Sequence, residues 1–220
     1  MTKRRSAIKY VAPSESFWEI PGVVYRGETG TYRLFEAMTQ PMTQNELSEL
    51  YEREKKAGNP HPADSILNFA IPLVAYNLRK KNPEEAEELR NFLQTSFRKY
   101  PNTLTRVIYS PSGNDRIIHN YGTSEQYSVD KKVVGKSDWL VNIPDKRVLE
   151  ALLGTKNVPQ INRLFQWVNG TDAYIWRLDS KPKQEEERVA WFGAIVSRLS
   201  LTCGRNPLDE YPAFRVLRVD

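Results

Sequence analysis

The stretch that most constrains this fold is residues 148–168, where apolar residues recur at helical spacing on both sides of a glycine. Leu149 and Leu152 lie one turn apart before Gly154, a residue suited to ending a helix because it adopts positive φ without strain. Pro159 suits the first turn of a second helix, where its missing N–H costs nothing. The stretch therefore predicts two short helices around a glycine-containing turn.

Two helices joined in this way resemble a helix-turn-helix motif, in which the second helix enters the major groove of DNA. The exposed side of that helix would offer amide and guanidinium groups that hydrogen-bond base edges. A loop at 179–184 between two predicted strands could act as a wing that contacts phosphate. The alternative is an ordinary αα-hairpin packed on a sheet. The candidate contacts are Lys156, Gln160, Asn162, Arg163, Lys181 and Lys183.

A basic N-terminal arm carries most of the excess charge. The net charge is +5 with a pI of about 9.2, and the first ten residues hold four basic residues and no acid. Everything from Val11 onward then has a net charge of only 5 − 4 = +1. Lys3, Arg4 and Arg5 are candidate phosphate contacts, and the alternative is a solvated tail.

Helical patterns dominate from about 43 to 100, and alternation of period two dominates from about 103 to 220. We therefore expect an α+β protein, with an N-terminal three-helix part followed by a mainly antiparallel sheet that the helix pair interrupts. Residues 1–20 would form the basic arm and a linker, and residues 21–220 a single α+β domain.

Composition excludes several classes of site. One cysteine, Cys203, allows no intramolecular disulfide and no cysteine-rich zinc site, and it is expected to be a small core residue. We expect no cofactor and no metal. The basic N-terminus lacks the apolar stretch of a signal peptide, and the longest apolar run, 69–76, is too short for a bilayer. The prediction is a cytoplasmic protein without membrane contact, and its oligomeric state stays open.

Two enzyme classes are the alternative to a binding protein. The early motif Tyr25-Arg26-Gly27, combined with the glutamate run 185–187 before a late strand, resembles ADP-ribosyltransferases. The resemblance implies that Arg26 holds the phosphates of the dinucleotide and that Glu187 stabilises the developing oxocarbenium ion. The alternative is a surface glutamate run in a polar loop.

A metal-dependent nuclease is the second enzyme class. Phosphodiester cleavage of this kind needs two or more carboxylates for the ion and a lysine beside the attacking water. These residues would have to converge in the fold. The set comprises Asp115, Glu125, Asp130, Lys131 and Lys132.

Two further features bear on function. His119 lies on an alternating strand and is expected to be a hydrogen-bonded, half-buried structural histidine. Tyr174 and Trp176, if they share an exposed strand face, would stack single-stranded bases or anchor a protein partner. The favoured hypothesis is a non-enzymatic binding protein, with nucleic acid as the first partner to test and protein as the other.

Overall fold

The computed structural model describes residues 9–11, 15–130, 137–177 and 182–220. Within these ranges the chain forms five α-helices and eleven strands. The helices are α1 (Gln44–Lys56), α2 (Ser65–Leu78), α3 (Pro83–Phe97), α4 (Arg147–Leu153) and α5 (Val158–Asn169). The strands are β1 (Lys9–Val11), β2 (Phe17–Tyr25), β3 (Glu28–Phe35), β4 (Asn102–Tyr109), β5 (Arg116–His119), β6 (Tyr127–Asp130), β7 (Asp138–Trp139), β8 (Ala173–Trp176), β9 (Glu186–Ile195), β10 (Arg198–Arg205) and β11 (Val216–Arg218).

The strands form two sheets. The smaller sheet has the order β1-β2-β3-β11, and the larger has the order β6-β5-β4-β9-β10-β8-β7. In the larger sheet β8 runs parallel to β10, while β9 and β4 run antiparallel to their neighbours. The larger sheet is therefore mixed.

The predicted architecture is wrong. Strands β1–β3 precede every described helix, so the chain does not begin with a three-helix part. A second sheet, completed by β11 from the other end of the chain, was not predicted, and the larger sheet is mixed and not simply antiparallel. The molecule is α+β overall, with α1–α3 between β3 and β4 in sequence and α4–α5 between β7 and β8 of the larger sheet.

The first part of strand β2 was missed because proline and glycine interrupt its pattern. Residues 1–20 were predicted to form the basic arm and a linker, yet β2 begins at Phe17. Pro21 and Gly22 lie where the register with β3 shifts, between Ile20 and Val23. A bulge tolerates both residue types, since its backbone leaves the regular ladder. Trp18 and Ile20 on this strand are fully buried core residues.

The predicted helices between 43 and 100 are present. Thr43 caps α1 by accepting from the N–H of Glu46, whose carboxylate accepts from the N–H of Thr43 in return. Helix α2 packs against β2, β4 and the three helices α3, α4 and α5. Its apolar residues face neighbours on nearly every side, as the pattern predicted. This helix is the centre of the main core.

The predicted helix pair is also confirmed, with its turn at residues 154–157. Gly154 and Gly170, with φ of 72° and 73°, end α4 and α5, and Pro159 lies in the first turn of α5. Helix α5 contacts α3 and strands β8 and β10, so it covers one side of the larger sheet. Across the described ranges, no helix combines the length and apolar character that crossing a bilayer requires.

Candidate binding surfaces

The residues predicted to read DNA do not form one open surface. Asn162 is only 9% exposed, and its Oδ1 accepts from the N–H of Ala173 at 3.0 Å. It therefore fixes the start of β8 and cannot reach a base. Gln160 is half-buried and Arg163 is exposed.

The remaining predicted phosphate contacts divide into two groups. Lys156 and Lys183 are exposed, with Lys156 in the turn between α4 and α5 and Lys183 just before β9. Lys3, Arg4, Arg5 and Lys181 lie outside the described residues. The loop predicted to act as a wing is likewise described only from residue 182 onward.

Arg26 and Glu187 do not meet in one cleft. Arg26 lines a polar cleft beside β2, whereas Glu187 is absent from the described residues that line it. The carboxylate of Glu187 instead forms an ion pair with Arg106, a buried arginine on β4. That arginine also donates to the side-chain oxygen of Gln44 at 2.6 Å. The carboxylate thus neutralises a buried cation.

Of the residues proposed for a nuclease, two have described side chains. Asp115 is buried and accepts from the N–H of Ser110 at 2.9 Å. Glu125 forms an ion pair with Lys55. The side chain of Asp130, and Lys131 and Lys132, lie outside the described residues. In the part of the chain that the structure describes, no cluster of three or more histidine, cysteine or acidic side chains is suited to a metal.

His119 is a structural histidine, and it is fully buried, not half-buried. Its Nε2 lies 2.8 Å from the carbonyl of Ala151 and must donate to it, so in the neutral ring Nδ1 accepts from the Thr105 hydroxyl at 2.9 Å. Burial lowers the pKa of His119, although the charge of Asp64 opposes this shift. The neutral imidazole therefore supports the fold.

Asp64 is the centre of a buried polar network that the sequence did not reveal. It caps α2, accepting from the N–H of Leu67 at 2.9 Å. Its other oxygen accepts from the hydroxyls of Tyr25 at 2.7 Å and Tyr127 at 3.0 Å. Burial, followed by the charge of Asp64, raises the pKa of both tyrosines, so both stay protonated donors. The network joins β2, α2 and β6 beneath the cleft.

The polar cleft lies above this network and has a volume of about 440 Å³. Its wall combines tyrosine rings with cations and carboxylates, which suits a small polar ligand better than an apolar one. We define the polar cleft by the polar residues of its wall, which are Tyr25, Arg26, Glu28, Tyr51, Lys55, His61, Asn120, Glu125 and Arg218.

A second surface lies on the outer side of the larger sheet. Alternation along β10 directs Leu199, Leu201 and Cys203 into the core, as predicted for Cys203. Ser200 and Thr202 face the opposite side, where they line a groove of about 460 Å³. We name this side the aromatic face, and its rings are those of Trp139, Tyr174, Trp176 and Trp191.

Two glycines let the edges of tryptophan rings approach the backbone of the aromatic face. A Cβ at Gly204 would be 1.6 Å from Cζ3 of Trp176, and a Cβ at Gly193 would be 2.3 Å from Cζ3 of Trp191. Any larger residue at these positions would displace the indole. Thr202 pairs with Trp176 on one side and Trp191 on the other. The two tryptophans therefore flank β10, with Cα atoms about 10 Å apart.

Two arginines accompany these rings and differ in their partners. Arg205 lies between the rings of Trp191 at 4.1 Å and Tyr211 at 3.4 Å. It also donates to the side-chain oxygen of Asn102 at 2.6 Å, and burial lowers its pKa to about 10. Arg198 lies over Tyr174 at 4.5 Å, and within the described ranges its side chain has no hydrogen bond or ion pair. Of these two arginines, Arg198 is therefore the one whose guanidinium can bind a ligand.

Only part of the aromatic face could be predicted from the sequence. Alternation correctly placed Tyr174 and Trp176 on one side of a strand, and Trp176 is 36% exposed. Trp191, Gly193 and Gly204 were not singled out, because their proximity depends on which strands are neighbours.

No protein-family model, curated protein or solved structure matches the chain. Function must therefore be inferred from the two surfaces themselves.

Proposed function

We propose that this protein binds single-stranded nucleic acid on the aromatic face, without catalysing a reaction on it. The observation that carries the proposal is the pair of tryptophans laid on glycines, Trp176 on Gly204 and Trp191 on Gly193. Bases stack on aromatic side chains, and each stack contributes about 1–3 kcal/mol. Indoles held against a sheet need little further ordering when a base arrives.

The polar groups around the rings suit a nucleotide. Ser200 and Thr202 line the groove beside the indoles; the Ser200 hydroxyl donates to the carbonyl of Gly193 and lies 3.3 Å from that of Thr202, whose oxygen keeps a lone pair that can accept from the amino group of a base. Arg198 supplies a cation for phosphate at the same groove. Four of the five excess positive charges lie in the first ten residues, and this basic arm would attract a polyanion from a distance.

Single strands fit this surface better than a duplex. A duplex hides the faces of its bases inside the stack, whereas a single strand presents them to aromatic side chains. The helix pair offers less to a duplex, because Asn162 is buried and the Nε2 of Gln166 donates to Asp172 at 2.7 Å.

Fluorescence anisotropy tests the proposal with labelled 12-nucleotide strands of DNA and RNA and a 12-base-pair duplex. Trp176→Ala should weaken binding to a single strand about 5- to 150-fold, corresponding to one lost stack. Trp176→Phe should retain most of the affinity, since it keeps a ring. Val24→Ala, an exposed apolar residue on the smaller sheet, is the control.

A salt titration separates the contribution of base stacking to the affinity from that of contacts with phosphate. Arg198→Ala should reduce the slope of log K against log salt by about 0.7, the value for one phosphate on a single strand. Undiminished binding by Trp176→Ala would contradict the proposal. If the protein instead binds the duplex more tightly, and Arg163→Ala abolishes that binding, then the nucleic acid contacts the helix pair and not the aromatic face.

A further inference from the structure

The polar cleft is a second concave site, separate from the aromatic face. Its volume of about 440 Å³ is within the range of small-molecule sites. It is bordered by the turn between β2 and β3, by α1 and by the segment before α2. No residue that defines it lines the groove of the aromatic face.

Most charges in the polar cleft already have partners. Lys55 pairs with Glu125, which also accepts from the hydroxyl of Tyr51 at 2.8 Å. Arg218 donates to Glu28 at 2.5 Å. Arg26 differs from these cations, since within the described residues its side chain makes no hydrogen bond and no ion pair. Its guanidinium lies 4.5 Å from the centre of the Tyr127 ring.

The backbone of Arg26 adds an independent observation. Tyr25 and Glu28 pair across a two-residue turn in which Arg26 has φ of 53° and Gly27 has φ of 82°. A hairpin turn with two positive φ angles favours asparagine followed by glycine, and it disfavours a side chain such as arginine. The turn itself therefore does not explain arginine at this position. A guanidinium stacked over a ring keeps its N–H groups free to bind a planar anion.

His61 supplies a complementary acceptor at the same cleft. Its Nδ1 lies 3.0 Å from the carbonyl of Pro62 and must donate to it. Burial lowers the pKa of His61, so the ring is neutral near pH 7 and its Nε2 carries a lone pair. That atom can accept a hydrogen bond from a hydroxyl or N–H of a ligand.

We propose that the polar cleft binds a small molecule that carries a carboxylate or phosphate group, with Arg26 holding the anion in a two-point hydrogen bond. The body of the ligand lies against the rings of Tyr25 and Tyr51 and donates a hydrogen bond to His61.

The test uses phenyl phosphate and benzoate as probes, with benzamide as the neutral isostere of benzoate. Dissociation constants are measured by NMR titration of the ¹⁵N-labelled protein. Either anion should cause saturable shifts of residues around the cleft, and benzamide should bind at least about tenfold more weakly than benzoate.

Arg26→Asn separates binding from folding. Asparagine suits the positive φ of this turn, so this variant should unfold at the same temperature or higher. Its affinity for the anions should nevertheless fall about tenfold or more. Arg53→Ala removes an exposed arginine outside the cleft and should leave the affinity unchanged. Trp176→Ala should also leave it unchanged.

Each outcome of the titrations either supports or overturns the proposal. Saturable binding of the phosphate alone, or of the carboxylate alone, supports the proposal and identifies the anionic group. The proposal is overturned if neither anion gives saturable shifts, if benzamide binds as well as benzoate, or if Arg26→Asn binds like the wild type.

Discussion

Gly204→Ala should disturb binding on the aromatic face more than it disturbs folding. The new methyl group would occupy a position 1.6 Å from Cζ3 of Trp176, so the indole must leave the sheet. Trp176 is 36% exposed, which leaves about 150 Å² of its surface buried. Uncovering half of that area costs about 2 kcal/mol. Replacing glycine by alanine offsets about 0.4–1 kcal/mol of this cost, because it lowers the conformational entropy of the unfolded chain. The net loss of stability is therefore about 1 kcal/mol.

The same substitution should weaken single-stranded binding by a smaller factor than Trp176→Ala. The ring is still present but must be immobilised again when a base stacks on it. That ordering costs about 0.5–1.5 kcal/mol, which corresponds to about 2- to 12-fold in affinity. Urea unfolding and anisotropy measure the two effects, and Val24→Ala, at an exposed position of the smaller sheet outside the groove, is the control.

A specific result would refute this reasoning. If Gly204→Ala keeps the wild-type tryptophan emission, stability and affinity, then the indole does not rest on Gly204. An affinity loss as large as that of Trp176→Ala would mean that the strand itself has been distorted.

Two further predictions concern the buried polar groups. Asp64→Ala should lower the free energy of unfolding in urea by about 3–5 kcal/mol. It removes a helix cap worth about 1 kcal/mol and leaves the hydroxyls of Tyr25 and Tyr127 without their acceptor, at about 1–2 kcal/mol each. A loss below about 1.5 kcal/mol would be inconsistent with the network. Burial lowers the pKa of His119 and of His61, so the unfolded chain binds protons more readily than the folded one. Stability should therefore be full above about pH 6.5 and fall as the pH drops below it, by about 1.4 kcal/mol per pH unit for each histidine that stays neutral when folded. Unfolding free energies measured at pH 7.5 and 5.5 check this, and equal values would contradict it.

The sequence predicted the helix ends that depend on residues close together in the chain. Gly154 ends α4 and Pro159 lies in the first turn of α5 because of backbone preferences that act within a single turn, so the local pattern was sufficient to predict them. The first part of strand β2 was missed because Pro21 and Gly22 break the alternation at a bulge whose partner lies on β3.

The candidate sites depend on contacts that no local pattern contains. Asp64 and Tyr127 are 63 positions apart, yet they share a hydrogen bond beneath the polar cleft. Asn162 matched a helix-surface pattern, and only the position of β8 explains why its amide is buried. The approach of Gly204 to Trp176 likewise requires that β8 and β10 be neighbours. Arg26 was named as a candidate residue, but its free guanidinium and unusual turn are visible only in the fold.

The pairing of β11 with β3 has a consequence for how the protein is made. Thr31 and Asp220, 189 positions apart, share a hydrogen bond at the end of this pairing. During synthesis on the ribosome, one edge of β3 stays unpaired until β11 has emerged. An open strand edge is a template for pairing with other chains. Nascent molecules should thus be vulnerable to self-association until β11 has emerged, and chaperones that shield sheet edges would act before that point.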